Sequence, residues 1–140
     1  MKFRAKAKFN GNNVFAGDWV HGSLIVNLDP HTVEPVISEA WIREPLRNIG
    51  SNIEIDVDTI GKASGSLDKM GNEIYEGDII KSGMTGGLYV IRFGEFTTKN
   101  SSGIGFWKQG LNVNDRGWFE DSNDFVKSNI HDNPKYLESN

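Results

Sequence analysis

Carboxylates are the residues of this chain whose type and spacing could support catalysis. The candidates are Asp56, Asp58, Asp68, Glu76 and Asp78. Paired carboxylates can act as general acid and base, and their oxygens suit Mg²⁺. A structural role is simpler, because Asp56 and Asp58 alternate with apolar residues while Asp68 and Asp78 fall in predicted turns. In a turn, a short carboxylate bonds nearby backbone amides.

Histidine and cysteine chemistry is not indicated either. The histidines, His21, His31 and His131, lie far apart without the spacing of metal ligands. The chain has no Gly-x-Ser-x-Gly elbow, no phosphate-binding Gly-Lys-Ser/Thr loop and no His-Glu-x-x-His pair. It has no cysteine, which excludes disulfides and thiol catalysis and fits a reducing cytoplasm. We therefore expect a protein that is not an enzyme and needs no cofactor or metal.

Aromatic and basic residues in the C-terminal half indicate a second chemistry, the binding of single-stranded nucleic acid. Such proteins use aromatic platforms beside cations. If predicted strands 88–93 and 104–107 adjoin, one face could carry Tyr89, Arg92, Phe106, Trp107, Lys108 and Trp118. The alternative, which we favour, is that these aromatic side chains form the core, their usual place in a small β domain.

Cations also alternate with apolar residues at the N-terminus. Lys2, Arg4, Lys6 and Lys8 share one side of a predicted strand. They could bind phosphate, but lysines also protect exposed strand edges from pairing with other chains. We predict an edge strand.

Most other elements that position these residues are also predicted strands. Residues 52–60 show the clearest alternation of the N-terminal half, and 19–26 form a strand in which Gly22 indicates a bulge or a close backbone approach. Strand 88–93 is expected to pair antiparallel with Ile79 and Ile80, and 94–103 to form a polar turn. Two segments stay open between a strand and a short helical element: 36–46 and 121–128.

The stretch from Asp68 to Lys81 contains two predicted turns and the start of an apolar strand. Gly71 and Gly77 can take positive φ without steric cost. Small SH3-like barrels often begin with a Gly-Asp turn, an apolar strand, a Gly-rich loop and a second strand. This stretch is analogous to that beginning. We predict that this stretch joins an N-terminal β region, 1–66, to a C-terminal barrel-like region, 67–140, within one compact unit. The predicted fold is mainly β, with an α+β fold as the alternative, and the N-terminal strands pack on the SH3-like region.

Composition limits the class of protein. Among 140 residues, 19 acidic and 15 basic side chains give a net charge of −4, which argues against a dedicated duplex-binding protein. With 37% apolar residues the chain can bury a core. No apolar run reaches the roughly 20 residues of a membrane span, and no signal-peptide core follows the basic N-terminus. We expect a soluble intracellular protein without a membrane partner.

Five segments resemble the YopX family of small phage and prophage proteins, in family order. They are Lys2–Ala5, Trp19–Leu24, Val57–Gly61, Asp68–Ile80 and Asn129–Leu137. The fourth is the most specific, since it resembles the family signature Asp-Lys-Asn-Gly-Lys-Glu-Ile-Tyr-Glu-Gly-Asp-Ile-Val. Its family residues, which we interpret as structural, are Asp68, Gly71, Ile74, Tyr75, Glu76, Gly77 and Asp78.

Two departures from the family pattern are visible. Where the family usually has Gln-Tyr-Thr-Gly-Leu, this chain has Lys62–Leu67, which is one residue longer and lacks the aromatic. His131 stands where tyrosine is common. A family surface that used the missing aromatic would be incomplete here.

The resemblance implies a mostly β phage or prophage protein in the host cytoplasm, with self-association as a possible property. We expect an interaction module that binds a host protein, a phage protein or another copy of itself, by strand addition or through an aromatic patch. Single-stranded nucleic-acid binding is the alternative function.

Overall fold

Antiparallel strands dominate the structure, a computed structural model that describes residues 2–11, 14–44, 52–120 and 123–137. The strands form two sheets, and the helices of the described residues are two short 3₁₀ helices. The predicted mainly β class is therefore confirmed. Contacts divide the chain into two units, Met1–Lys62 and Ala63–Asn140. The division at residues 66 and 67 and the likeness to an SH3 barrel stay predictions.

The first unit is built on four strands and the beginning of a fifth. They are β1 (Phe3–Lys6), β2 (Trp19–Leu28), β3 (Ile37–Arg43), β4 (Ile53–Glu54) and β5 (Gly61–Leu67), with a 3₁₀ helix at Val57–Thr59 before β5. Neighbouring strands are antiparallel, in the order β4-β3-β2-β1-β5. The core of this unit consists of Ala5, Ala7, Val14, Val20, Ala40, Ile42, Ile53 and Ile55.

Strand β1 is an interior strand, so the prediction of an edge strand is wrong. Phe3 pairs with Gly22 of β2 on one side and with Lys62 of β5 on the other. The alternation holds in part: Ala5 and Ala7 are buried in the core, but Arg4 of the basic side is buried too and Phe9 is 58% exposed. An alternating pattern reports which face of a strand is buried, but it contains no information about how many strands flank it.

Residues 52–60 form a much shorter strand than their alternation predicts. Strand β4 ends at Glu54, although Ile55 is buried and bridges to Ala7. Asp56 then ends the extended conformation, because its carboxylate accepts the Asp58 amide at 3.1 Å and its carbonyl accepts the Thr59 amide at 3.0 Å. These local bonds favour a 3₁₀ turn over a continued ladder.

The open choice for residues 36–46 is decided in favour of a strand, β3, while Pro45 and Leu46 lie outside the described residues. Gly22 allows a close backbone approach, as predicted. A Cβ added there would lie 2.1 Å from the Arg43 carbonyl oxygen. The Asn10-Gly11 pair predicts a turn over 10–13. Gly11 and Val14 exchange two backbone hydrogen bonds there, and residues 12 and 13 lie outside the described part.

The second unit contains the rest of β5 and six further strands. These are β6 (Glu73–Tyr75), β7 (Asp78–Lys81), β8 (Leu88–Thr97), β9 (Ser102–Gly110), β10 (Arg116–Trp118) and β11 (Phe125–Asn129), followed by a 3₁₀ helix at Pro134–Leu137. Ala63 and Leu67 of β5 pair with β6. The other five strands form a sheet in the order β10-β9-β8-β7-β11.

The predicted pairing of β7 with β8 is confirmed, since Ile79 pairs with Val90 and Ile80 with Tyr89. The predicted polar turn at 94–103 is wrong over most of its length. Strand β8 continues to Thr97, β9 begins at Ser102, and only the residues between them turn. Thr98 and Ser101 close this hairpin with backbone and side-chain hydrogen bonds.

One core cluster of the second unit lies on one face of this sheet, while Ile79 and Val90 are buried on the other. In this cluster Ile74, Ile80, Tyr89 and Ile91 are buried, with Phe106, Val113, Phe119 and Val126 packed against them. The open choice for 121–128 is decided in favour of strand β11, while residues 121 and 122 lie outside the described part. Leu137, in the second 3₁₀ helix, is 46% exposed. None of the helices in the described ranges is long and apolar enough to cross a membrane.

Candidate functional site

The carboxylate of Asp68 is the centre of a hydrogen-bond network. Its Oδ1 accepts the amides of Met70 and Asn72 at 2.9 and 2.8 Å, and its Oδ2 accepts the amide of Val126 at 2.9 Å. Burial by itself would raise the pKa of Asp68, but these amides and the Asn72 side chain outweigh burial and lower it. An ionised carboxylate held by three backbone amides is suited to structural anchoring.

The turn at Gly77 is held in the same way. Gly77 has φ +90°, its amide donates to the Ile91 carbonyl at 2.8 Å, and its carbonyl accepts the Ile130 amide at 3.0 Å. The buried Asp78 carboxylate accepts the Tyr75 amide at 2.8 Å. This geometry agrees with our structural interpretation of the stretch from Asp68 to Asp78.

The remaining members of this stretch contribute burial and turn shape. Gly71 has φ +86°, and the side chains of Ile74 and Tyr75 are 1% and 4% exposed. Glu76 is half-buried. The Tyr75 hydroxyl donates to Glu73 at 3.2 Å.

The other residues considered for catalysis are dispersed. Asp56 caps the first 3₁₀ helix and Asp58 is exposed. Among the described residues, no group of three or more His, Asp or Glu side chains is placed to hold a metal ion.

The predicted aromatic face is divided between the two sides of the second sheet. Strands β8 and β9 adjoin, with Arg92 opposite Trp107 and Phe93 opposite Phe106. Directly opposed residues share a face, and successive residues alternate between faces. Tyr89, Phe106 and Lys108 therefore lie on the core face, whereas Arg92, Trp107 and Trp118 lie on the other face.

On the core face, Tyr89 is 3% exposed and its hydroxyl donates to Asp115 Oδ2 at 3.0 Å. Burial, followed by the hydrogen bond to Asp115, raises the pKa of Tyr89. The Lys108 ammonium lies 4.6 Å from the centroid of the Tyr89 ring. Tyr89 and Phe106 therefore belong to the core of this unit.

The opposite face carries an aromatic cluster that we define as Phe96, Trp107 and Trp118. Phe96 stacks on Trp107 with centroids 4.7 Å apart and meets Trp118 edge-on at 5.1 Å. The Trp118 indole lies across two glycines, donates to Ser101 Oγ at 2.8 Å and is half-buried. The Arg116 guanidinium is 6.0 Å from the Phe96 centroid. Arg92 and Arg116 thus lie on the same face as three aromatic rings.

Sequence reasoning missed Phe96 because 94–103 is predicted to turn, and Arg116 because 110–117 is predicted to be a loop. Extending the period of two from Arg92 through Gly94 would have placed Phe96 on this face.

The N-terminal cations contact groups of their own unit. The Arg4 guanidinium and the Lys6 ammonium lie 4.6 and 5.5 Å from the centroid of Trp19, and Lys8 pairs with Glu54 at 3.6 Å. Arg4 is 8% exposed. The contacts with Trp19 and Glu54 therefore explain the presence of these cations more simply than phosphate binding does.

The outer end of the β2–β3 hairpin is an exposed apolar surface that sequence reasoning did not single out. We call residues 24–28 and 36–40 the arm. Strand β1 pairs with β2 only as far as Gly22, so 24–28 have β3 as their neighbouring strand among the described residues. Side chains of Ile25, Val26, Leu28 and Val36 are 40%, 37%, 53% and 47% exposed. The uncharged sequence Leu-Ile-Val-Asn-Leu was the available signal.

Comparison with known proteins identifies the family. No curated protein matches the chain. The family described as YopX protein matches residues 2–138, nearly the whole length, in agreement with the resemblance of the five segments. The chain therefore belongs to the YopX family and is a phage-type protein of the mainly β class.

Proposed function

We propose that this protein is a non-enzymatic interaction module that acts in the host cytoplasm and binds a strand of another polypeptide at the arm. The observation that carries the proposal is the uncharged, partly exposed outer half of β2, which extends past the end of β1. The candidate partners are a second copy of the chain, a phage protein or a host protein.

The chemistry of a strand edge supports this proposal. Backbone groups on an unpaired edge can form a ladder with an added strand, and proteins usually prevent this with Lys, Pro or a bulge. Residues 24–28 contain neither Lys nor Pro. Ile25 faces one side of the hairpin and Val26 the other, so an added strand could bury apolar area on both faces.

The non-enzymatic part of the proposal is supported by the use of the acidic residues. Asp68 and Asp78 are engaged by backbone amides, as described above. A carboxylate that already accepts several amide hydrogen bonds is poorly suited to exchange protons with a substrate.

Light scattering across a range of protein concentrations, together with affinity capture from host lysate, tests the proposal. We expect a concentration-dependent oligomer or a specifically captured partner, and loss of either with Val26→Lys. The matched control is Ile104→Lys, because Ile104 is 72% exposed in β9 of the other unit. A monomer that captures no partner, or equal loss in both variants, would contradict binding at the arm.

The alternative function is binding of single-stranded nucleic acid, and one observation favours it. Arg92 and Arg116 lie beside the aromatic cluster on the face opposite the core. Cations beside aromatic rings suit a phosphate backbone and stacked bases. The mutual stacking of Phe96 and Trp107 leaves fewer free ring faces, which is why we place this function second.

Fluorescence anisotropy with labelled oligonucleotides at low salt tests this alternative. Binding should weaken with added salt and with Arg92→Gln/Arg116→Gln, while the exposed Lys99→Gln should have little effect. No binding at protein concentrations on the order of tens of micromolar would exclude it.

A further inference from the structure

A groove in the second unit lies between the loop that follows β7 and strand β11. Its lining includes Lys81, Ser82, Gly83, Gly86, Phe125 and Lys127. Phe125 pairs directly with Lys81, which places both side chains on the same face. A Cβ at Gly83 would lie 1.9 Å from the Asn123 carbonyl oxygen, so a glycine is needed for the loop to approach the start of β11 this closely.

Three lysines surround this groove. Lys81 and Lys127 line it, and the Lys69 ammonium lies 5.6 Å from the centroid of the Phe125 ring. All three are exposed, and none forms an ion pair with a carboxylate of the described part of the chain. Among the described residues, none that lines the groove is acidic.

Two carboxylates adjacent in sequence to Lys69 and Phe125 are buried. Asp68 and Asp124 are 6% and 1% exposed, and the Asp68 carboxylate is occupied by backbone amides. The three exposed lysines form a local positive patch on a chain whose net charge is −4. A multivalent anion bound between these lysines would offset the repulsion between their positive charges.

We propose that this groove binds the phosphate groups of a small ligand. Lysine is a common partner of phosphate as a point charge, and three of them suit a diphosphate better than a monovalent anion. The loop amides add little, because Ser82 Oγ already accepts the amides of Met84 and Thr85 at 3.2 and 3.3 Å. Recognition rests on the lysines, so affinity should be modest and salt-sensitive.

Two sources of the same chemistry are possible, inorganic diphosphate and a nucleoside diphosphate. Isothermal titration of the full chain at low salt with pyrophosphate and with adenosine diphosphate distinguishes them. Tighter binding of adenosine diphosphate would show that the base also contacts the groove, while equal affinity would show that the phosphates alone are recognised. Either result supports the proposal.

The deciding comparison is between two double variants of exposed lysines. Lys81→Gln/Lys127→Gln should weaken pyrophosphate binding at least tenfold, and Lys99→Gln/Lys135→Gln, which removes the same charge outside the groove, should leave it within twofold. No saturable binding up to about 10 mM, a range weaker than most specific ligand sites, would overturn the proposal. Equal weakening in both variants would also overturn it, since binding would then follow net charge. Circular dichroism of both variants verifies that they fold.

Discussion

The Val126 amide donates a hydrogen bond of 2.9 Å to the carboxylate of Asp68, although 58 positions separate the two residues. The same carboxylate accepts two amides of its own turn, those of Met70 and Asn72. The Lys69 amide also donates to the Asp124 carbonyl at 2.9 Å. The turn after β5 is thereby attached to the start of β11.

Replacing this carboxylate should be costly. Asp68→Ala leaves three amides without their charged acceptor, and hydrogen bonds to charged groups contribute about 1.5–3 kcal/mol each without being additive. We expect the free energy of unfolding to fall by about 3 kcal/mol in urea denaturation. Glu95→Ala, at an exposed position of β8, is the control and should change it by less than about 0.5 kcal/mol. A loss for Asp68→Ala as small as the control's would show that the network contributes little.

The lowered pKa of Asp68 predicts a pH dependence with a defined sign. A carboxyl whose pKa is lower in the folded state than its ordinary value of 3.8 stabilises the fold above that value. This contribution disappears as the pH falls through the folded-state pKa, because the unfolded chain binds the proton first. The stability difference between the natural chain and Asp68→Ala should be constant near neutrality and shrink below pH 3.8. A difference that stays constant down to pH 2 would contradict the assignment.

Gly77→Val should lower the melting temperature because of backbone strain. At φ +90° a β-branched residue is disfavoured by about 1–3 kcal/mol. Space is not the cause, since an added Cβ would lie 3.5 Å from the nearest atom, His131 Nε2. Gly117→Val is the control, because Gly117 lies in strand β10 with no atom within 4 Å of an added Cβ. Equal melting temperatures for the two variants would refute the turn assignment.

The position of the Trp118 indole can be tested by substituting Gly105, which lies against it. A Cβ at Gly105 would lie 3.5 Å from the Trp118 ring, so the larger Gly105→Val side chain should displace the indole from Phe96 and Ser101. We expect changed near-ultraviolet circular dichroism and a loss of about 1–2 kcal/mol in stability, typical of overpacking. With Gly117→Val, on the opposite face, the spectrum should be retained. An unchanged spectrum for Gly105→Val would place the indole elsewhere.

Several elements could be predicted because their signals are local. The antiparallel pairing of Ile79 and Ile80 with 88–93 follows from two apolar runs joined by a Gly-rich loop. Gly22 was recognised as a close approach because a glycine inside a strand pattern often marks a site where another backbone comes near. The wrong predictions of strands and turns arose where one local sequence pattern is compatible with two structures. Asp56 stops a strand whose alternation continues beyond it, and Gly94 and Gly103 lie within strands although glycine often marks a turn.

The candidate binding face shows more clearly that a local sequence pattern does not determine which residues come together. Aromatic and basic residues were selected by type, yet β8 and β9 carry them on both faces. Only the register, with Arg92 opposite Trp107, separates the three residues on the core face from the three on the outer face. A shift by one residue would exchange the two sets, and the sequence contains no local signal for that register.

The sequence alone determined the family, the mainly β class and the backbone chemistry of the stretch from Asp68 to Asp78, because turns and alternation depend on neighbouring residues. The tertiary structure decided that Asp68 anchors Val126, that β1 is an interior strand, and that the arm, the aromatic cluster and the lysine groove exist as surfaces. These features join residues tens of positions apart. Such contacts are set by strand order and register, which depend on how the whole chain buries its apolar faces.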